Sequence, residues 1–68
     1  MYNSKTILAK NVEQLRSLKK LTKEELSLIL GFENSYISKL EKGKINITIE
    51  KLDKIAQFFE IKTYELIK

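Results

Sequence analysis

Gly31-Phe32-Glu33-Asn34-Ser35-Tyr36-Ile37-Ser38-Lys39-Leu40-Glu41-Lys42-Gly43, read with Leu21-Thr22-Lys23-Glu24-Glu25-Leu26 just before it, decides the fold of this chain. Thr22 stands where it can cap a helix, and Glu25, three residues on, completes a capping box. Leu21 before the cap and Leu26 beyond it form a hydrophobic staple that fixes how the chain enters. Leu26, Ile29 and Leu30 recur at helical spacing and predict a helix over 23–30 with one apolar stripe. Gly31 ends it, as a residue at a left-handed C-terminal position would. A second helix is predicted over 34–42. Ile37, Leu40 and Glu41 lie on one side of it, and Asn34, Ser35, Ser38 and Lys39 on the other. Gly43 stops it.

Outward from this pair, Leu8, Val12, Leu15 and Leu18 predict a helix over 6–19 with those four residues facing the core. Lys10, Glu13, Gln14 and Lys19 face water. The polar start, 1–5, is expected to be loose. Ile45 and Ile47 alternate with polar residues, but a lone short strand would have no partner, so 44–47 reads as loop. Thr48 caps a further helix, with Ile47 and Leu52 as its staple and Leu52, Ile55, Ala56 and Phe59 as its buried stripe. A last short helix follows a Thr63 cap and carries Tyr64, Leu66 and Ile67. No repeat, low-complexity tract or linker interrupts the chain, so 1–68 reads as one domain.

Composition agrees with an all-α reading. The chain has 68 residues, no proline, and two glycines, both at helix ends. With 43% hydrophobic and 32% charged residues it is globular in type rather than disordered. A chain of this size buries about 60% of its unfolded surface and is marginal alone, so a dimer would help it. The formal net charge of +4 suits an anionic partner, and equally a lysine-rich solvated surface. Charge alone does not choose between them.

The same inventory excludes several function classes. Without cysteine or histidine there are no disulfides, no ordinary zinc ligands and no histidine base. No metal, cofactor or catalytic residue is expected. Ser35 and Lys39 lie one turn apart, as in a Ser-Lys dyad, but a small helical domain offers no oxyanion hole, so the chain reads as a non-enzyme. No apolar run approaches the roughly 20 residues that span a bilayer, and no signal-peptide core is present. A cytoplasmic protein without a membrane partner is the expectation.

Two short helices joined at a glycine turn can lay the second helix in the major groove of double-stranded DNA. Asn34, Ser35, Ser38 and Lys39 are then the base-contacting candidates. Asparagine reads adenine bidentately, lysine donates to guanine, and serine serves either. The competing reading is a solvated helix face.

The chain resembles the Xre/Cro (lambda-repressor-like) family of helix-turn-helix domains, which includes phage repressors and the controller proteins of restriction-modification systems. The resemblance rests on Leu21 to Ser27, Gly31, Ser35 to Gly43, Ile45 to Thr48 and Leu52 to Gln57, and it runs from Leu8 to Leu66. It implies a compact five-helix domain with the helix-turn-helix at its second and third helices. It also implies a transcriptional regulator that binds a roughly palindromic operator as a homodimer, with autoregulation typical of relatives. No small-molecule effector is expected, for want of a second domain to sense it. The alternative is a protein-interaction module of the same fold, such as an antitoxin.

The resemblance assigns further roles. Lys23, Lys42, Lys44 and Asn46 match positions that grip phosphates. Tyr36 has two readings, a hydroxyl on phosphate or a partly buried ring. Arg16 and Glu41 match a structural ion pair. Phe58 falls off the buried stripe where relatives carry a small residue, so Phe58, Ile61, Tyr64 and Leu66 are the candidate dimer contact. The alternative is that the last helix covers Phe58 within one subunit. Two departures stand out. Glu33 replaces the usual short cap of the recognition helix, so either Asn34 caps instead of reading a base or Glu33 points away. Glu60 stands where a glycine often ends the fourth helix.

Overall fold

The computed structural model describes residues 3–68, and Met1 and Tyr2 lie outside them. Helix α1 spans Ser4–Leu18, α2 Lys23–Ile29, α3 Tyr36–Glu41 and α4 Ile49–Phe59, and a 3-10 turn follows over Thr63–Leu66. No strand occurs among the described residues. The expected five helices are therefore four α-helices and one 3-10 turn. That turn is held by i to i+3 bonds, Glu65 N–H to the Lys62 carbonyl at 2.9 Å and Ile67 N–H to the Tyr64 carbonyl at 3.2 Å. Thr63 does not cap it; its hydroxyl donates to Asp53 Oδ1 at 2.6 Å and ties the turn to α4.

Each α-helix begins or ends for a local reason. The Thr22–Glu25 capping box forms, with Glu25 N–H on Thr22 Oγ1 at 3.0 Å and Thr22 N–H on Glu25 Oε1 at 2.8 Å. Thr48 accepts from Lys51 N–H at the start of α4. The expectation of a loose start fails from Asn3 onward. Asn3 Oδ1 accepts from Thr6 N–H at 2.9 Å and so begins α1 two residues before the expected position. All four helices stop in the same way, with one left-handed residue and a bond reaching back five residues. The left-handed residues are Lys20, Gly31, Gly43 and Glu60. The back-reaching bonds are Leu21 to Arg16, Phe32 to Ser27, Lys44 to Lys39 and Ile61 to Ala56. Glu60 thus takes the glycine-type turn at φ 59°, and the turn keeps its usual geometry.

Val12, Leu26, Ile37, Ile55 and Leu66 meet at the centre of the core, fully buried. Burying each such side chain contributes about 1.5–3 kcal/mol. Helix α1 lies against α3 and the 3-10 turn, α2 against α3, and α4 against the turn. Asn11 Nδ2 donates to the Leu66 carbonyl at 2.7 Å and fastens the turn to α1.

Two expected core residues face solvent, for one reason. Leu18 is 79% exposed and Ile29 52% exposed. The buried faces of α1 and α2 are rotated toward small residues, Ala9 and Ser27. At about 100° per residue, Leu18 falls about 80° from Leu8, on the side away from Ala9. Ile29 likewise falls about 60° from Leu26, on the side away from Ser27. The inward side of each helix thus takes a small residue, and Leu18 and Ile29 are left outside.

Candidate nucleic-acid interface

The second helix of the pair is short and has no cap of its own. Ser35 occupies the N-cap position of α3 but makes no side-chain bond there. The cap comes from α2. Ser27, 0% exposed, accepts from Ile37 N–H at 3.1 Å and donates to the Lys23 carbonyl at 2.9 Å. A buried backbone N–H without a partner costs about 1–3 kcal/mol, so this hydroxyl fixes where α3 starts. Neither Glu33 nor Asn34 caps the helix, and both are exposed. Helix α3 begins at Tyr36 rather than at 34, so Asn34 and Ser35 stand in the turn before it. Sequence reasoning missed Ser27. Its signal was a polar residue beside Leu26, on the side of the stripe that proved to be buried.

The far end of α3 is held by an ion pair. Arg16 Nε donates to Glu41 Oε2 at 2.7 Å and Nη2 to Oε1 at 3.1 Å, while Nη1 donates to the Leu21 carbonyl at 2.8 Å. The two side chains are 13% and 6% exposed. The hydrogen bond to Glu41 raises the Arg16 pKa against the opposing effect of desolvation. One guanidinium thus joins the end of α1, the entry to α2 and the end of α3.

Held at both ends, α3 buries Ile37 and Leu40 and turns its other side outward. Asn34, Ser35 and Lys39 are exposed, and Ser38 is half-buried. Lys42, Lys44 and Asn46 are exposed just beyond α3, and Lys23 is half-buried at the start of α2. Tyr36 is half-buried, its ring 4.7 Å from that of Phe32. Burial raises its pKa above the ordinary value of 10.0. Lys51 Nζ stands 4.7 Å from the Tyr36 ring centre, and Lys54 Nζ 5.7 Å from that of Phe32. These two lysines were not singled out in the sequence; only their i, i+3 spacing on the outer face of α4 marks them.

Of the four residues expected at a dimer contact, one lies inside the subunit. Leu66 is 0% exposed, pinned in the core by the 3-10 turn, and cannot present its side chain to another molecule. Phe58 is half-buried edge-on against Phe59, with Lys19 Nζ 5.5 Å from its ring centre. Ile61 is half-buried, and Tyr64 is exposed. Among the described residues, no group of histidine, cysteine or acidic side chains is arranged to hold a metal. No helix is long and apolar enough to cross a membrane.

The glycine-turned helix pair is a helix-turn-helix, and the chain belongs to the Xre/Cro-like helix-turn-helix family of DNA-binding regulators, whose pattern matches residues 12–66. It is 36% identical over 61 residues to the uncharacterized HTH-type transcriptional regulator y4dJ of Sinorhizobium fredii, which covers 90% of this chain and 79% of that protein. It is also 36% identical over 53 residues to the control protein C.SmaI of Serratia marcescens, covering 78% of this chain and 63% of the relative. In structure it is similar to the restriction-modification controller protein C.AhdI from Aeromonas hydrophila. There the TM-score is 0.84 at 28% identity, over 96% of this chain and 98% of the other.

Proposed function

We propose that two copies of this chain bind a roughly palindromic operator and regulate transcription in the manner of a controller protein or small repressor. The observation that carries this reading is the outward face at the start of α3. Asn34, Ser35 and Lys39 are exposed there, while Ser27 and the Arg16–Glu41 pair hold the helix beneath them in one position. Asn34 is free of any capping duty, so its amide is available to adenine. Lys39 donates to guanine, with Ser35 and Ser38 as secondary contacts. Lys23, Tyr36, Lys42, Lys44 and Asn46 take phosphates and set the register. Similarity to C.SmaI and C.AhdI supports the controller-type reading.

The dimer contact is proposed at Phe58, Ile61 and Tyr64, with exposed Ile67 in place of Leu66. Two copies would set their α3 helices about 34 Å apart, in successive major grooves. The test is binding of the purified protein to the duplex upstream of its own coding region, over a salt series, with a scrambled duplex as control. Tight, specific and steeply salt-dependent binding by a dimer is expected. Equal weak binding to both duplexes would overturn the operator reading and favour a protein partner.

A further inference from the structure

Lys51 and Lys54 have no acidic partner, and both lean over the turn that leads into α3. Among the described residues, the one ion pair within 4.0 Å is Arg16–Glu41. Lys51 Nζ lies 4.7 Å from the Tyr36 ring centre and 5.6 Å from that of Phe32. Lys54 Nζ lies 5.7 Å from the Phe32 ring centre and would stand 3.5 Å from a Cβ added at Gly31. Both residues are exposed. Two ammonium groups are thus gathered on one side of the Gly31–Ser35 turn, steered there by two aromatic rings. Exposed cation–π contacts are worth about 0.5–1 kcal/mol, enough to bias a long side chain without neutralising it.

Their position answers a difficulty in the turn. Glu33 is exposed there without an ion-pair partner, and its carboxylate would repel a DNA backbone approaching the start of α3. Lys51 and Lys54 bring two positive charges to the neighbouring Phe32 and Tyr36 rings, against the one negative charge of Glu33. Lys42, Lys44 and Asn46 lie beyond the opposite end of α3.

We propose that Lys51 and Lys54 form a second phosphate grip, so that the backbone is held at both ends of the recognition helix. The aromatic pair Phe32–Tyr36 is the platform that aims the two ammonium groups. This inference rests on the DNA-binding reading above and adds to it a contact surface carried by α4. A phosphate grip has a signature of its own. It contributes to affinity for any duplex, it is salt-dependent, and it carries no sequence information.

The test uses the full chain with its own upstream duplex and the scrambled duplex, read by fluorescence anisotropy across a fourfold range of salt. The variants are the double substitution Lys51→Gln with Lys54→Gln, which keeps the stems and removes the charges, and Lys51→Arg with Lys54→Arg. The double substitution removes two phosphate contacts per copy, four per bound dimer, and should lower the slope of log K against log salt by about 3.6. Over a fourfold rise in salt, the wild-type dimer should then lose about 150-fold more affinity than the Gln double variant, on both duplexes alike. The ratio of affinities between the two duplexes should stay as it was, and the Arg variant should keep the wild-type slope. A Gln double variant that keeps the full slope overturns the grip and leaves the operator reading standing. A collapsed ratio at unchanged slope also overturns it, and makes the lysines supports of α3. Equal binding of the wild type to both duplexes, with the slope still falling by about 1.8 per bound copy, upholds the grip and sinks the operator reading. A wild type that binds neither duplex overturns both.

Discussion

Helices α2 and α3 are neighbours of nearly equal length, yet they are stabilised in opposite ways. Helix α2 carries its own start, the Thr22–Glu25 capping box, and ends at Gly31. Helix α3 shares the glycine ending, at Gly43, but has no cap from its own strand of sequence. Its first turn is closed by Ser27 of α2, and its last by Arg16 of α1. Six residues cannot sustain a helix alone in water, since nucleation is unfavourable and isolated helices under about 12–15 residues are marginal. The difference is useful. Under the proposed DNA-binding role, the face keeps its outward residues for contact and takes its support from inward bonds made by other helices.

The sharpest way to break this arrangement is at the ion pair. Glu41→Ala leaves the Arg16 guanidinium nearly buried without its carboxylate, and should cost about 3–5 kcal/mol in urea unfolding. Ser27→Ala comes next. Ile37 N–H loses its acceptor and the Lys23 carbonyl a donor, for an expected loss of about 2 kcal/mol, read from the shift in the urea midpoint. Thr22→Ala removes a purely local cap from α2 and should cost about 1 kcal/mol, without disturbing α3. Glu60→Gly should stabilise the protein by about 1 kcal/mol, because a side chain at φ 59° is strained where glycine is not. Should Thr22→Ala prove as costly as Glu41→Ala, the contrast between local and borrowed support would fail.

The fold was legible wherever its causes are local. The capping box of α2, the Thr48 cap, the stripe of Leu52, Ile55, Ala56 and Phe59, and the glycine stops are all short-range features of the chain. The errors lie where tertiary packing decides. An apolar-only stripe counted Leu18 and Ile29 as core and passed over Ala9 and Ser27, since small side chains carry little hydrophobic signal. The last segment was given a helix and a surface role. Instead, tight i to i+3 bonding turns Leu66 into the core. At the candidate site, the two readings of Asn34 could be separated only by finding the cap elsewhere, ten residues upstream of the amide it serves. The gathering of Lys51 and Lys54 over Phe32 and Tyr36 joins residues far apart along the chain, and no spacing rule points to it.

The claim that α3 is held by its neighbours is tested most directly at one amide. Ile37 N–H sits in the first turn of α3, where no intrahelical acceptor exists, so its protection from hydrogen exchange reports the Ser27 bond. In Ser27→Ala, exchange at Ile37 should speed up at least about tenfold more than exchange at the amides of α4, which change only with global stability. If exchange at Ile37 speeds up no more than at the amides of α4, the cap lies elsewhere and the borrowed support is contradicted.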